Sequence, residues 1–385
     1  MQSTIQLSER ATGCLLAGAA GDALGAAVEF IDRDAILRRF GASGIRSYAP
    51  AYGGLGMITD DTQMTLFTAE GCLRAVSTQL AGGKTDMQES IREAYLRWLC
   101  TQDVTSDRPV DRRGWLFEQQ ALFSRRAPGS TCLGGLRRRG GENNHSKGCG
   151  GIMRVAPAGI FHAGDPAQAF ELGATAARLT HGYPTGYLSA GVFAAIVAEL
   201  MVGKGLPDAI ASARSILLSM PDHAETLAAL DSAVHRAEAG ESPLSAIPAL
   251  GEGWIAEEAL AISVYCALVA ESLEEGVILA INITGDSDST GAITGNLLGA
   301  LHGVMAIPAR WLEPLELRDV IETVAHDLIL VRNTDWQGLD IVFSGRYPVV
   351  IDEPLILNQT RLQPSALSSK NPTCVPESPP AKIHG

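Results

Sequence analysis

Aromatic residues make up only 5% of this 385-residue chain. A core of this size must then be filled largely by Ala, Leu and Gly, and small residues let helices approach closely. Cysteine is also sparse. Seven of them, an odd number, are scattered without a CxxC pair, which excludes a disulfide framework or a zinc ribbon and suits a reducing compartment. Positive charge is in the minority, with 30 Lys and Arg against 43 Asp and Glu, a net charge of −13. That excludes a general polyphosphate surface and hence a nucleic-acid partner. It favours a protein that collects divalent cations. The opening MQSTIQLSERATGCLLAG lacks a basic n-region, and the apolar stretch it leads into is broken by Asp22 and by glycines at 13, 18, 21 and 25. No membrane span is expected there, and the expected location is cytoplasmic. Sustained strand alternation is missing before residue 340, as is any repeat of solenoid period.

What is present is helical patterning. Apolar residues at 46% exclude global disorder. The length fits one large domain or two small ones. Helices are expected over residues 10–27, 61–80, 88–101, 167–180, 185–202, 206–218, 222–238, 256–272, 289–303 and 316–332. Residues 104–147 stand apart, with nine basic residues against four acidic ones, a local charge of +5. They run into LGGLRRRGGENNHSKGCGG, which reads as an irregular loop. Long ordered loops are usually functional or mobile. From Tyr347, YPVVIDEPLIL reads as an edge strand at most or an extended cover, because Pro348 and Pro354 bracket it. The Pro/Ser-rich stretch from Gln363 reads as disordered, or ordered only by docking.

Two acidic clusters open helices. The first is Ile58-Thr59-Asp60-Asp61-Thr62-Gln63-Met64 and the second is Gly285-Asp286-Ser287-Asp288-Ser289-Thr290-Gly291. Each on its own reads as a helix N-cap, since Thr and Asp satisfy the free N–H groups of a first turn. Each also offers hard oxygen donors of the kind Mg²⁺ and Mn²⁺ require. The second begins like an EF-hand loop, but Leu297 stands where the bidentate Glu belongs. Two such clusters together favour a shared two-metal site over two coincidental caps. A third segment, GAAGDALGAAVEF from Gly18, carries glycines at 18, 21 and 25 on one helix face and ends on Glu29, which alone reads as a surface residue. In the fourth, Asn144 to Pro157, Gly148, Gly150 and Gly151 read either as an anion nest or as a flexible turn. It is not a Walker loop, for no GKS or GKT is present. The fifth, Leu179-Thr180-His181-Gly182-Tyr183-Pro184, holds a lone His that by itself reads as structural.

Taken in order, GDALGAAVEF, ITDDTQM, the loop ending GGIMRVAP, LTHGYP and GDSDSTGAITGNLLGALHG resemble the successive signatures of the ADP-ribosylglycohydrolase family over roughly residues 10–305. The resemblance implies an all-α, compact single-domain orthogonal helical bundle with a central dinuclear metal cleft. That domain is expected over residues 1–345, with 104–147 as a basic, Gly-rich insertion and 346–385 as an extended C-terminal segment. It implies two Mg²⁺ or Mn²⁺ ions held by Thr59, Asp60 and Asp61 from one side and Asp286, Asp288 and Ser289 from the other. Glu29, Asp60 and Asp288 would carry the chemistry, with Asp288 the candidate for the shared ligand and Glu29 positioning water or gating the site. Gly148, Gly150 and Gly151 would surround the diphosphate, and His181 would line the substrate pocket.

The activity implied is hydrolysis of the glycosidic bond between ADP-ribose and a protein side chain, arginine first, with an ADP-ribosylated protein as partner. A different class of reading is a binding or immunity protein that docks on an ADP-ribosyltransferase toxin, with or without hydrolysis. A generic metal phosphohydrolase would explain the acidic clusters but not the order of the Gly loop and His motif.

Overall fold

The computed structural model describes residues 4–333 and 341–349. Among them there is no β-strand, only two isolated bridges. The helices are α1 (Thr4–Gly25), α2 (Arg33–Phe40), α3 (Asp60–Leu80), α4 (Met87–Thr101), α5 (Ser130–Arg137), α6 (Ala156–Phe161), α7 (Pro166–Arg178), α8 (Pro184–Met201) and α9 (Leu206–Leu217). They continue with α10 (Ala224–Glu238), α11 (Pro243–Leu250), α12 (Ala256–Val269), α13 (Leu273–Ile281), α14 (Ser287–His302), α15 (Ala309–Leu312), α16 (Arg318–Asn333) and α17 (Ile341–Arg346). The all-α class expected from the sequence is what the chain adopts.

The seam that organises the site is α1 against α14. A Cβ on Gly13 would meet Gly299 O at 2.6 Å, one on Gly21 would meet Gly291 O at 2.1 Å, and one on Gly25 would meet Ser287 O at 2.3 Å. From the other side, a Cβ on Gly295 would meet Ala17 O at 2.1 Å. Positions rising along α1 thus meet positions falling along α14, so the two helices are antiparallel. Small residues four apart form the contacting stripe on each, because i and i+4 share a helix face. Antiparallel packing sets the C-terminal end of α1 beside the N-terminal end of α14. Gly18 also faces this seam, but against the Asn296 side chain, whose amide donates to Cys14 O at 2.8 Å.

The α8 helix is apolar all round and long enough to cross a membrane, but 89% of it is buried inside this fold. It packs on α6, α7, α9 and α12 as a core helix. α3 lies against α4, α6 and α16, and its first turn lines the same cleft as the first turn of α14.

Several sequence expectations shift at their edges. The first helix ends at Gly25, not residue 27, so Glu29 sits in the turn beyond it. α10 begins at Ala224 because Asp222 adopts the left-handed conformation (φ 57°). The LGGLRRRGG stretch is not wholly irregular. Its first half is α5, where a Cβ on Gly135 would meet Thr180 Cα at 2.9 Å, so close packing rather than a turn accounts for that glycine. Short helices α2, α6, α11 and α13 were not visible in the periodicity. Arg346 and Tyr347 both donate to the Asp327 carboxylate on α16, at 2.9 and 2.8 Å. Residues 350–385, including most of the expected extended strand and the Pro/Ser-rich tail, lie outside the described residues.

Candidate metal centre

Three segments converge on a cleft of about 370 Å³: the turn after α1, the first turn of α3 and the first turn of α14. Glu29, Asp60, Asp61, Asp286, Asp288 and Ser289 line one side of it. Gly148, Cys149, Gly150 and His181 line another, with Phe30 and Trp254 also in the wall. Carboxylate oxygens of Glu29, Asp286 and Asp288 all lie within 4.8 Å of one another. Helix N-termini carry partial positive charge, which is one reason acids gather in the first turns of α3 and α14.

Capping and site-building coexist in these turns. Thr59 Oγ1 accepts the Asp61 N–H at 3.3 Å, and Asp286 Oδ1 accepts the Ser289 N–H at 3.3 Å. Thr59 is fully buried and does not line the cleft. Asp60 Oδ2 accepts the Gly129 N–H at 3.2 Å, tying the turn before α5 to the site. Ser289 Oγ faces Met153 Sδ at 4.0 Å, a weak contact that leaves its lone pairs open.

Buried without a counter-charge, these acids cannot all ionise. Burial pushes Glu29 up to about 11, with the charges of Asp288, Asp286 and Asp60 adding to it. Burial and then Asp288 raise Asp60, Asp61 and Asp286 well above the usual carboxylate range, and burial raises Asp288 too. Glu29 Oε2 and Asp61 Oδ2 are buried with no hydrogen-bond partner. Orphaned carboxylate oxygens in an all-oxygen cluster fit a hard divalent cation as the missing partner.

Asp22, which the sequence showed only as a break in an apolar run, proves central. It is fully buried and accepts from the backbone N–H of Thr59 at 3.0 Å and of Thr62 at 3.2 Å, and from the Thr62 hydroxyl. It therefore docks the start of α3 on α1. Burial and the Asp288 charge raise it to about 7. From the opposite side, Arg126 donates to Ile58 O at 2.7 Å and forks onto the Glu316 carboxylate, holding the chain that enters α3.

The Gly-rich wall is only partly an open nest. The Gly148 N–H donates to Ser146 Oγ at 3.3 Å and the Cys149 N–H to Trp254 O at 3.1 Å, so two of its donors are already used. Gly150 has no room for a side chain, for its Cβ would meet Cys132 Sγ at 2.6 Å. Gly151 packs beneath, toward Ala177, and does not line the cleft. His181 is 1% exposed. Burial and the neighbouring Arg154 lower it to about 3, so it is neutral. Arg154 Nη2 donates to Thr180 Oγ1 at 2.7 Å, that hydroxyl lies 2.8 Å from His181 Nδ1 and 3.4 Å from Ala177 O, and His181 Nε2 is on the side of Gly148.

The basic insertion is partly neutralised by ion pairs. Arg108 pairs with Glu89, Arg113 with Asp111, and Lys147 with Glu225 and Glu257. Arg137, Arg138 and Arg139 are exposed, do not line the cleft and have no ion-pair partner among the described residues. A larger depression of about 890 Å³, lined by Arg92, Asn144, Arg178 and Tyr183, shares no lining residue with that cleft.

Comparison with known proteins gives matches along most of the chain. The family model described as ADP-ribosylglycohydrolase matches residues 3–338. The ADP-ribosyl-[dinitrogen reductase] glycohydrolase of Rhodospirillum rubrum is 29% identical over 322 residues, covering 80% of this chain and 91% of that protein. The ADP-ribosylarginine hydrolase Tri1 of Pseudomonas putida (strain GB-1) is 25% identical over 350 residues, covering 89% of this chain and 83% of that protein. Among solved structures, a chain of an ADP-ribosylglycohydrolase-related protein complex matches with a TM-score of 0.59 and 25% identity, covering 85% of this chain and 99% of that one.

Proposed function

Since the chain belongs to the ADP-ribosylglycohydrolase family, we propose that it is a divalent-metal-dependent hydrolase releasing ADP-ribose from a modified arginine side chain of a protein. The observation that carries this reading is the convergence of five buried carboxylates, Glu29, Asp60, Asp61, Asp286 and Asp288, on one cleft facing the Gly148–Gly150 wall and His181. The arginine linkage is taken from the name of the Pseudomonas putida relative.

Asp60, Asp61, Asp286, Asp288 and Ser289 are the residues to hold two Mg²⁺ or Mn²⁺ ions, with Thr59 set behind them. When bound, such ions lower the pKa of a water and orient the ribose hydroxyls. The protein does the rest. Glu29 is held protonated by burial and by its acidic neighbours; with cations offsetting those charges, its unpartnered oxygen would be the group to take a proton from the attacking water. The carboxylate wall faces the positive charge that develops at the anomeric carbon. Neutral His181 has its Nε2 on the Gly148 side, suited to a hydrogen bond with a ribose hydroxyl, which can donate or accept. Asp22 keeps the Asp60–Asp61 turn in register with Asp288. A two-carboxylate glycosidase would need no metal.

The test is incubation with Arg-, Ser- and Cys-ADP-ribosylated proteins, with and without Mg²⁺, reading free ADP-ribose. Metal-dependent release from the arginine-linked substrate is expected. Release that persists in EDTA, or none from any substrate, overturns the proposal.

A second reading adds docking on an ADP-ribosyltransferase toxin in the cytoplasm. The exposed Arg137–Arg138–Arg139 run, without an ion-pair partner among the described residues, supports it, because such a run offers a contact for an acidic protein face.

A further inference from the structure

Two of the chain's scarce aromatic side chains meet at the cleft. The Phe30 and Trp254 rings have centroids 6.2 Å apart and planes 18° from parallel. Both line the cleft, and Phe30 is 70% exposed and Trp254 40% exposed. Neither ring is spent on the core, so two large apolar faces stand in water next to the carboxylates. Their place is fixed by backbone. Phe30 directly follows Glu29. Trp254 directly follows Gly253, where a Cβ would lie 3.3 Å from Asp286 Cβ, and the Trp254 carbonyl accepts the Cys149 N–H at 3.1 Å. The pair therefore stands at the carboxylate end of the cleft.

We infer that this pair receives the arginine side chain of the substrate, with the planar guanidinium stacked on the ring faces. The inference rests on the proposed hydrolysis of arginine-linked ADP-ribose. In that substrate the reacting ribose carbon is bonded to a guanidinium nitrogen. With that carbon held at the carboxylates, the guanidinium is the next group outward, flat and cationic. Adenine is the other flat group, but two riboses and a diphosphate separate it from the reacting carbon, so it cannot occupy the same place. Aromatic faces carry negative quadrupole and attract a guanidinium laid over them. The exposure of both rings leaves room for the polypeptide that carries the arginine. A serine or cysteine linkage presents no planar cation here, so the pair selects among leaving groups and contributes little to holding ADP-ribose.

The experiment compares Phe30→Leu, Trp254→Leu, the double variant and Trp254→Phe with the unmodified protein in the presence of Mg²⁺. It measures kcat/KM on an arginine-ADP-ribosylated protein, and the affinity for free ADP-ribose by calorimetry. The double variant is expected to lose about tenfold in kcat/KM, mainly through KM. Trp254→Phe should retain most activity, and ADP-ribose affinity should be unchanged throughout. Unaltered arginine-linked kinetics in the double variant, or a fall in ADP-ribose affinity matching the fall in kcat/KM, overturns the inference alone. If the unmodified protein releases nothing from the arginine-linked substrate, the proposed activity itself fails, and the guanidinium assignment falls with it.

Discussion

Substituting Gly21 by alanine tests the α1–α14 seam on which the proposed metal centre is built. The added Cβ would sit 2.1 Å from Gly291 O, 2.4 Å from Gly291 C and 3.1 Å from Ala292 N. Those neighbours are backbone, so no side-chain rotation relieves the clash and the helices must part by roughly 1 Å to reach ordinary contact. Overpacking of this kind costs about 1–3 kcal/mol, and the rigidity on both sides puts this case at the upper end. Alanine returns up to ~1 kcal/mol through its better helix propensity. The net expectation is a loss of about 2 kcal/mol, read as a lower urea midpoint with unchanged slope. The displacement also reaches the site, since Gly25 one turn on packs against the Asp288 backbone. Stabilisation by added Mg²⁺ should therefore shrink as well. Gly134→Ala is the internal control, because that helical glycine has nothing within 4 Å of where its Cβ would be. It should gain up to about 1 kcal/mol. A Gly21→Ala protein as stable as the parent, with the same response to Mg²⁺, would refute the close-packed seam as the scaffold of the centre.

Asp60→Ala and Asp288→Ala should each abolish hydrolysis, while melting temperature in EDTA holds or rises because repulsion among the remaining carboxylates is relieved; full activity in either removes the two-metal mechanism. Mg²⁺ or Mn²⁺ at a hundredfold excess over Kd should stabilise the parent by about 2.7 kcal/mol. No melting shift at concentrations that support activity counts against metal tying α3 to α14. His181, held near 3 against its ordinary 6.5, leaves the unfolded chain binding the extra proton. Its contribution is thus complete above pH 6.5 and lost as pH falls toward 3, by up to ~1.4 kcal/mol per pH unit. His181→Gln should flatten that acid limb, and parallel limbs for the two proteins would show the assignment to be wrong. Replacing Arg137, Arg138 and Arg139 together by Ser should leave free ADP-ribose binding intact by calorimetry, as expected of exposed residues outside the cleft. A large loss of ADP-ribose affinity would instead place them at the diphosphate.

Local features of this chain are legible residue by residue. Helices such as α7, α9 and α10 announce themselves because 3.6-residue periodicity is a property of consecutive side chains, and α8 does so by an unbroken apolar run. The acidic turns at Asp60–Asp61 and Asp286–Ser289 are visible for the same reason, since a cap and its helix are neighbours in sequence. The order of the five motifs was enough to indicate the family and the all-α class. Short helices such as α6 and α13 were missed because six to nine residues carry too few turns for a period to show, and α5 was masked by its glycines.

Tertiary packing decided everything that depends on distant partners. Glu29 looked like a frayed-end surface acid and is buried because antiparallel α1 and α14 bring the turn after α1 onto the start of α14. Asp22 looked like an interruption in an apolar helix and is the acceptor that docks α3. Thr59, readable as an N-cap from its own segment, is the N-cap of α3, while Phe30 and Trp254, far apart in the chain, become neighbours. The sequence supplied the donors and the small-residue stripe. Which carboxylates face one another, and therefore which are starved of counter-charge, follows only from how closely two glycine-lined helices can approach.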